Sequence, residues 1–141
     1  MIIFILHLIS CAFMAGLIWA IQILHYPAFD EIHPDKFITF HTGHSNKITY
    51  IVGPVMGLEL ITAIILLIQK VDPLFFAANL LFLGLIWFAT AFLSVPLHNT
   101  LSKGQNNLAI KKLVNTNWPR TILWSLRLVI LTIYFLNSRG L

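Results

Sequence analysis

An all-α transmembrane four-helix bundle is the fold this sequence predicts, and three observations predict it. Mean hydropathy is +0.85 and only 10% of residues are charged, values that suit a bilayer rather than water. Apolar residues make up 58% of the chain, above the usual globular share of about 45–50%. They fall into four blocks, about residues 2–24, 48–69, 74–95 and 118–136, each close to the roughly 20 residues that cross a bilayer. With 141 residues, the chain is expected to form a single integral membrane domain.

The first block is read as a retained span. A cleaved signal peptide would have a basic start and a shorter apolar run. The stretch Leu8-Ile9-Ser10-Cys11 imitates a lipoprotein box, but few residues precede it and none is positive, so neither cleavage nor lipidation is expected. Cys11 is the only cysteine, which excludes an internal disulfide and leaves it as a small packing residue. Tyr26 precedes Pro27, and a residue before proline is pushed out of the helical region, so His25 is expected at the end of span one. Gln22 lies one turn deeper on the same face. Trp19, two turns below His25, either meets lipid or walls a pocket.

The segment 30–46 predicts a short interfacial helix. Pro34 suits a first helical position, Asp35 suits the positive end of a helix, and Phe37, Phe40, His41 and His44 fall on one helical stripe. Gly43 is where its last turn would break, with Ser45 and Asn46 as caps for span two. Gly53, Pro54 and Gly57 then loosen span two, which membrane helices tolerate, and small residues permit close helix approach. Span three is uncharged and aromatic, and Pro96 is expected to close it so that His98 emerges beyond. The polar connection 99–117 is read as an amphipathic surface helix built on Leu108, Ile110, Leu113 and Val114, or equally as a basic solvated linker. Asn117 caps span four, with Pro119 in its first turn. No internal repeat is visible.

Four spans put both termini on one side. The opposite side carries Lys36, Lys47, Lys103, Lys111, Lys112 and Arg120, against Lys70 and Arg139 on the side of the termini. The positive-inside rule makes the lysine-rich side cytoplasmic and both termini external. The net charge of +4 is then accounted for by an anionic leaflet, with no nucleic-acid partner implied. The expected partners are the lipid bilayer, a lipophilic small molecule and a further copy of the chain.

Spans do not need histidine to fold, yet His25, His41, His44 and His98 all map to the lysine-rich side. Imidazole binds metals near neutral pH because it is available unprotonated. His41-x-x-His44 on a helix, with His25 and His98 ending two spans, forms a candidate metal set. Such donors suit iron or copper, zinc less so, and not magnesium or calcium, which prefer oxygen. A haem held by the same imidazoles is a variant of this reading. Met14 and Met56 lie deeper, so a soft copper(I) site is not indicated. The bland alternative is that each imidazole simply bonds headgroups or backbone. His33, in a charged stretch, is read as solvated, and His7 as a satisfied intramembrane histidine.

Glu59 and Arg127 form a second constellation. At 1.5 Å per residue they lie roughly 16 and 14 Å from the same face, and an isolated charge there costs at least about 2.5–3.5 kcal/mol. They are read either as an ion pair joining spans two and four, or with Glu59 as a catalytic carboxylate or metal ligand below the histidines and Arg127 beside a cofactor. The third constellation is Trp118, Arg120 and Trp124. It is either an aromatic belt, or a site where Arg120 clamps an anionic or phenolic substrate or a haem propionate beside Trp118. No nucleophile elbow, phosphate loop or catalytic carboxylate pair appears, which leaves hydrolase and kinase chemistry without support.

The motifs Tyr26-Pro27, Phe40-His41-x-x-His44, Pro96-x-His98 and Asn117-Trp118-x-Arg120-Thr121 resemble those of small bacterial four-span membrane proteins distantly similar to the anthrone-oxygenase-like family. The resemblance implies a four-helix membrane fold and oxidation of a hydrophobic aromatic. Together with the histidines it gives the expectation of a metal-dependent membrane oxidoreductase, with Gln22, Tyr26 and Arg120 orienting the substrate or the ligands. An electron carrier, a small metal transporter and a histidine interface in an oligomer are the competing expectations.

Overall fold

Proline and a neighbouring capping side chain start the two middle spans. Pro34 follows His33, whose Nδ1 accepts from the Asp35 N–H at 3.4 Å, and Pro73 follows Asp72, whose Oδ1 accepts from the Phe75 N–H at 3.2 Å. Asn106 starts the last helix in the same way, its Oδ1 accepting from the Ala109 N–H at 2.9 Å. Each cap satisfies a donor that the first helical turn would leave unpaired.

The computed structural model describes residues 1–139, with side chains to Ser138. Its helices are α1 (Ile2–Ala20), α2 (Tyr26–Ala28), α3 (Pro34–Ile68), α4 (Pro73–Ala89), α5 (Val95–Leu101) and α6 (Asn107–Arg139), and no strand occurs among the described residues. Four stretches are long and apolar enough to cross a membrane: Ile2–Glu31, Pro34–Ile68, Pro73–Leu101 and Asn107–Ser138. The all-α four-helix bundle expected from the sequence is therefore present, in a multi-pass membrane protein. The side chain of Arg139, assigned by sequence to the side of the termini, lies outside the described residues.

Three expectations about boundaries are corrected. The short interfacial helix and span two are one helix, α3, which runs through Gly43, Ser45 and Asn46 without a break. The amphipathic connection and span four are likewise one helix, α6, with Asn117 and Pro119 in its interior. Pro27 and Pro96 do not end their spans. Ahead of each lies a five-residue π-turn, Ile21–His25 and Thr90–Ser94. The Tyr26 N–H reaches back to the Ile21 carbonyl, and the Val95 N–H to the Thr90 carbonyl, one residue further than in an α-helix. A proline ring clashes with the carbonyl four residues before it, and each π-turn contains that residue (Ile23 and Phe92). In hydrocarbon a broken helix would leave backbone groups without water, so widening the turn is the less costly response.

α1 packs on α3 and α6, and α4 packs on the same two helices, so consecutive spans are neighbours and the ring closes from α6 to α1. At the lysine-rich end, the Gln105 amide donates to the carbonyls of Ile32 (2.9 Å) and Phe29 (3.4 Å), tying the last loop to the end of span one. That loop turns at Gly104, whose φ of 150° suits only glycine.

The burial pattern is inverted relative to a water-soluble protein. Ile9, Leu24, Ile61, Leu81, Phe92 and Leu136 lie on the outside, while Gln22, Glu59, Asn79, Asn117, Arg120 and Arg127 are buried. An outer surface of large apolar side chains on long helices is what lipid contact requires.

Candidate functional site

The π-turn of span one and the proline after it deliver His25, Tyr26 and Phe29 to the lysine-rich end. The matching turn in span three delivers Ser94 and, one turn beyond it, His98. A π-turn adds one residue to a helix and so rotates every residue beyond it about the helix axis. His41 and His44 face these groups from α3. Phe29, fully buried, is the common neighbour: its ring centroid lies 5.1 Å from His25, 5.5 Å from His41 and 5.7 Å from His44.

The four imidazoles come together, but as two pairs. The rings of His25 and His44 are 3.7 Å apart. His41 and His98 are joined through Nε2 and Nδ1 at 3.1 Å, and His98 Nε2 lies 3.1 Å from the Tyr26 hydroxyl. Ser45 Oγ, not foreseen from the sequence, is 3.5 Å from His41 Nε2. Among the described residues no three His, Cys, Asp or Glu side chains are already grouped to hold one ion, so the expected four-imidazole set is not preassembled. The Phe29 ring contacts both pairs, through His25 and His44 of one and His41 of the other.

Two buried ring nitrogens, His25 Nε2 and His41 Nδ1, have no hydrogen-bond partner. Counting protons along the chain Tyr26–His98–His41 gives its direction. An orphaned N–H is the rarer and costlier defect, so the unpartnered His41 Nδ1 is best left bare. His41 then carries its proton on Nε2 and donates to His98 Nδ1, and His98 donates from Nε2 to the Tyr26 oxygen. This leaves the Tyr26 O–H free to point elsewhere. It is also the tautomer in which a metal-binding histidine has its other nitrogen held by an outer partner. Within this chain His98 braces the ring of His41 and leaves His41 Nδ1 bare, while His25 Nε2 is the other unpartnered imidazole nitrogen.

A cavity of about 260 Å³ lies beside this chain, with Tyr26, His98 and Arg120 at its polar end. Arg120 is only 5% exposed. Its Nη1 donates to Ser94 Oγ (2.8 Å) and Asn117 Oδ1 (3.1 Å), and the guanidinium sits 5.5 Å from the Trp124 ring centre. Gln22 supports the layer: its Oε1 accepts from Asn117 Nδ2 at 2.8 Å, and its Nε2 donates to the Val114 carbonyl at 3.1 Å. Gln22 thus positions Arg120 through Asn117 and does not face the cavity itself. Trp118 is placed on the outer surface, edge-on to Trp19 at 5.7 Å, and does not line the cavity.

Glu59 and Arg127 are brought together, but apart from the four histidines. Their ion pair, Oε1 to Nη1 at 2.8 Å, is fully buried. Glu59 Oε2 accepts from Trp124 Nε1 at 3.0 Å, and Arg127 Nε donates to Asn79 Oδ1 at 3.0 Å. His7 completes the group. Its Nε2 accepts from Asn79 Nδ2 (2.8 Å) and lies 3.3 Å from Arg127 Nη2, while its Nδ1 meets Thr62 Oγ1 at 2.8 Å. Both carboxylate oxygens are engaged, and neither Glu59 nor Arg127 touches His25, His41, His44 or His98 among the described residues. This is the ion-pair alternative. Asn79, Thr62 and Ser94 were missed, and Asn117 was read only as a cap, because a lone amide or hydroxyl in a span carries no spacing signal.

Compared with known protein families, with curated proteins and with solved structures, the chain matches none.

Proposed function

We propose that the chain is a metal-dependent membrane oxidoreductase acting on a lipophilic substrate at the cytoplasmic membrane face, related in kind to the anthrone-oxygenase-like proteins its motifs resemble. The observation that carries this reading is the hydrogen-bonded chain Tyr26–His98–His41, which links a largely apolar cavity to a buried, unpartnered imidazole nitrogen. His25, His41 and His44 would hold iron or copper, which when bound supplies one-electron chemistry and an open coordination position. His98 fixes the ring of His41, Tyr26 offers its hydroxyl hydrogen to a substrate oxygen in the cavity, and Phe29 and Phe37 keep water from the imidazoles.

Helix length supports the membrane-face placement. At 1.5 Å per residue, α3 is roughly 50 Å long, well beyond the ~30 Å hydrocarbon core, so its histidine-bearing first third reaches the headgroup zone. Transport gains less support, because the deep polar groups His7, Glu59, Asn79 and Arg127 bond to one another.

The test is metal content and absorption of detergent-purified protein after reconstitution with iron(II) or copper(II). About one metal per chain is expected, falling at least tenfold in His25→Ala, His41→Ala and His44→Ala and unchanged in His33→Ala. Less than about 0.1 metal per chain, with no chromophore, overturns the reading.

A further inference from the structure

A cation buried without a counter-ion is costly unless something neutralises it. Among the described residues Arg127 has its carboxylate, whereas no carboxylate lies within 4.0 Å of Arg120. Nη1 donates to Ser94 and Asn117, the guanidinium also interacts with the Tyr26 hydroxyl, and its Nε–H is buried with no partner. The unpartnered Nε–H forms one edge of the group together with Nη2–H. That edge is the planar fork which binds a carboxylate through two parallel hydrogen bonds.

The surroundings indicate where such an anion comes from. Beyond Tyr26, His98 and Arg120 the cavity is walled mainly by apolar residues, Val52, Met56 and Trp87 among them, with the hydroxyls of Thr49, Thr90 and Ser94; no further charged side chain lines it, so it suits an apolar chain with a single charge. Of its lining residues, Trp87 and Val95 are 38% and 47% exposed and belong to the apolar outer surface, so the cavity borders the lipid-facing side of the bundle. A ligand arriving there has an acidic head and a hydrocarbon tail.

We propose that this cavity binds a single-chain carboxylate amphiphile of the fatty-acid type, its carboxylate on the Nε/Nη2 edge of Arg120 and its first carbons between Val52, Met56 and Trp87. The proposal deepens the oxidoreductase reading, on which it rests for the reaction but not for the binding: the carboxylate anchors at Arg120, and the Tyr26 hydroxyl stands at the same end of the cavity.

Binding is read on purified protein in nanodiscs by quenching of tryptophan fluorescence, using dibrominated stearate, the corresponding dibrominated alcohol and the dibrominated alkyl phosphate. Stearate is expected to quench saturably with an apparent affinity at least about tenfold above the alcohol and above the phosphate. Arg120→Gln should abolish the preference for acid over alcohol. Arg120 also holds Ser94 and Asn117, so its variant can fail to fold. Gly53→Phe covers that case: an added Cβ there meets no atom within 4 Å, and the ring would fill the cavity while leaving every bond of Arg120 intact. Loss of saturable stearate quenching in Gly53→Phe supports the assignment. Equal affinity for acid and alcohol in the native chain, a preference for the phosphate, or undiminished binding in Gly53→Phe each overturns it. The readout needs neither metal nor turnover, so its failure removes the substrate class alone, and a metal-free chain removes only the oxidoreductase reading.

Discussion

Arg127 and Arg120 are both arginines buried in span four, and they differ in one respect. Arg127 has its carboxylate, an asparagine oxygen and a histidine nitrogen around it; Arg120 has only neutral partners. Removing one member of a fully buried pair leaves the other charged and unpaired, so Arg127→Met is expected to destabilise the bundle by about 3–5 kcal/mol. The double variant Arg127→Met with Glu59→Leu should lose less than Arg127→Met alone. It would not be neutral, since Trp124 Nε1 and the Asn79 amide would lose their acceptor and donor. Unfolding in mixed detergent micelles measures both; a double variant as unstable as the sum of the singles would show that the two charges do not stabilise each other. Much of this was legible in the sequence, because two charges at matched depth in different spans have few other ways to be tolerated. The pairing of His41 with His98 was legible as proximity only. Which imidazole braces which depends on Phe29 and Tyr26, whose side chains look like ordinary aromatic packing until the fold is known.

At the scale of elements, the sequence misled where it used rules learned in water. A residue before proline and a glycine near a cap are good boundary signals when water can take over the freed carbonyls. Here the helices continue: α3 passes through Gly43, and spans one and three absorb Pro27 and Pro96 in π-turns. A mid-helix glycine costs about 1 kcal/mol, less than exposing backbone to hydrocarbon. The π-turns also have a positional consequence. Each carries one residue more than an α-helix would, and everything beyond it is turned by about 100°. Deleting Ala91, an exposed residue within the turn Thr90–Ser94, should restore regular helix and swing His98 and Ser94 away from His41 and Arg120. The expected result is unchanged helical content by circular dichroism with metal retention and stearate binding both reduced at least tenfold. Retention of both would show that the turn merely accommodates Pro96.

Seen as a whole molecule, the chain repeats a plan that the sequence does not display. A span interrupted by a π-turn and proline is followed by a long unbroken helix with one internal proline, Pro54 in α3 and Pro119 in α6. The repeat escaped notice because it lies in backbone geometry, while the side chains at corresponding places differ. Both π-turns fall at the lysine-rich end, so the histidines and Arg120 gather there and the Glu59–Arg127 network occupies the bundle below. Orientation in the membrane decides which compartment this end meets. Lys36, Lys47, Lys103, Lys111 and Lys112 are all exposed at it, whereas Lys70 stands in the turn at the opposite end. A basic excess in short connections is retained on the cytoplasmic side. Cys11, the one native thiol, is buried and silent to reagents in water, so single cysteines can be read against a clean background. In intact cells a membrane-impermeant maleimide should label Lys70→Cys at once and Lys111→Cys only after permeabilisation. The reverse pattern would place the histidine end outside, where the proposed metal would be drawn from the external medium and the carboxylate amphiphile from the outer leaflet.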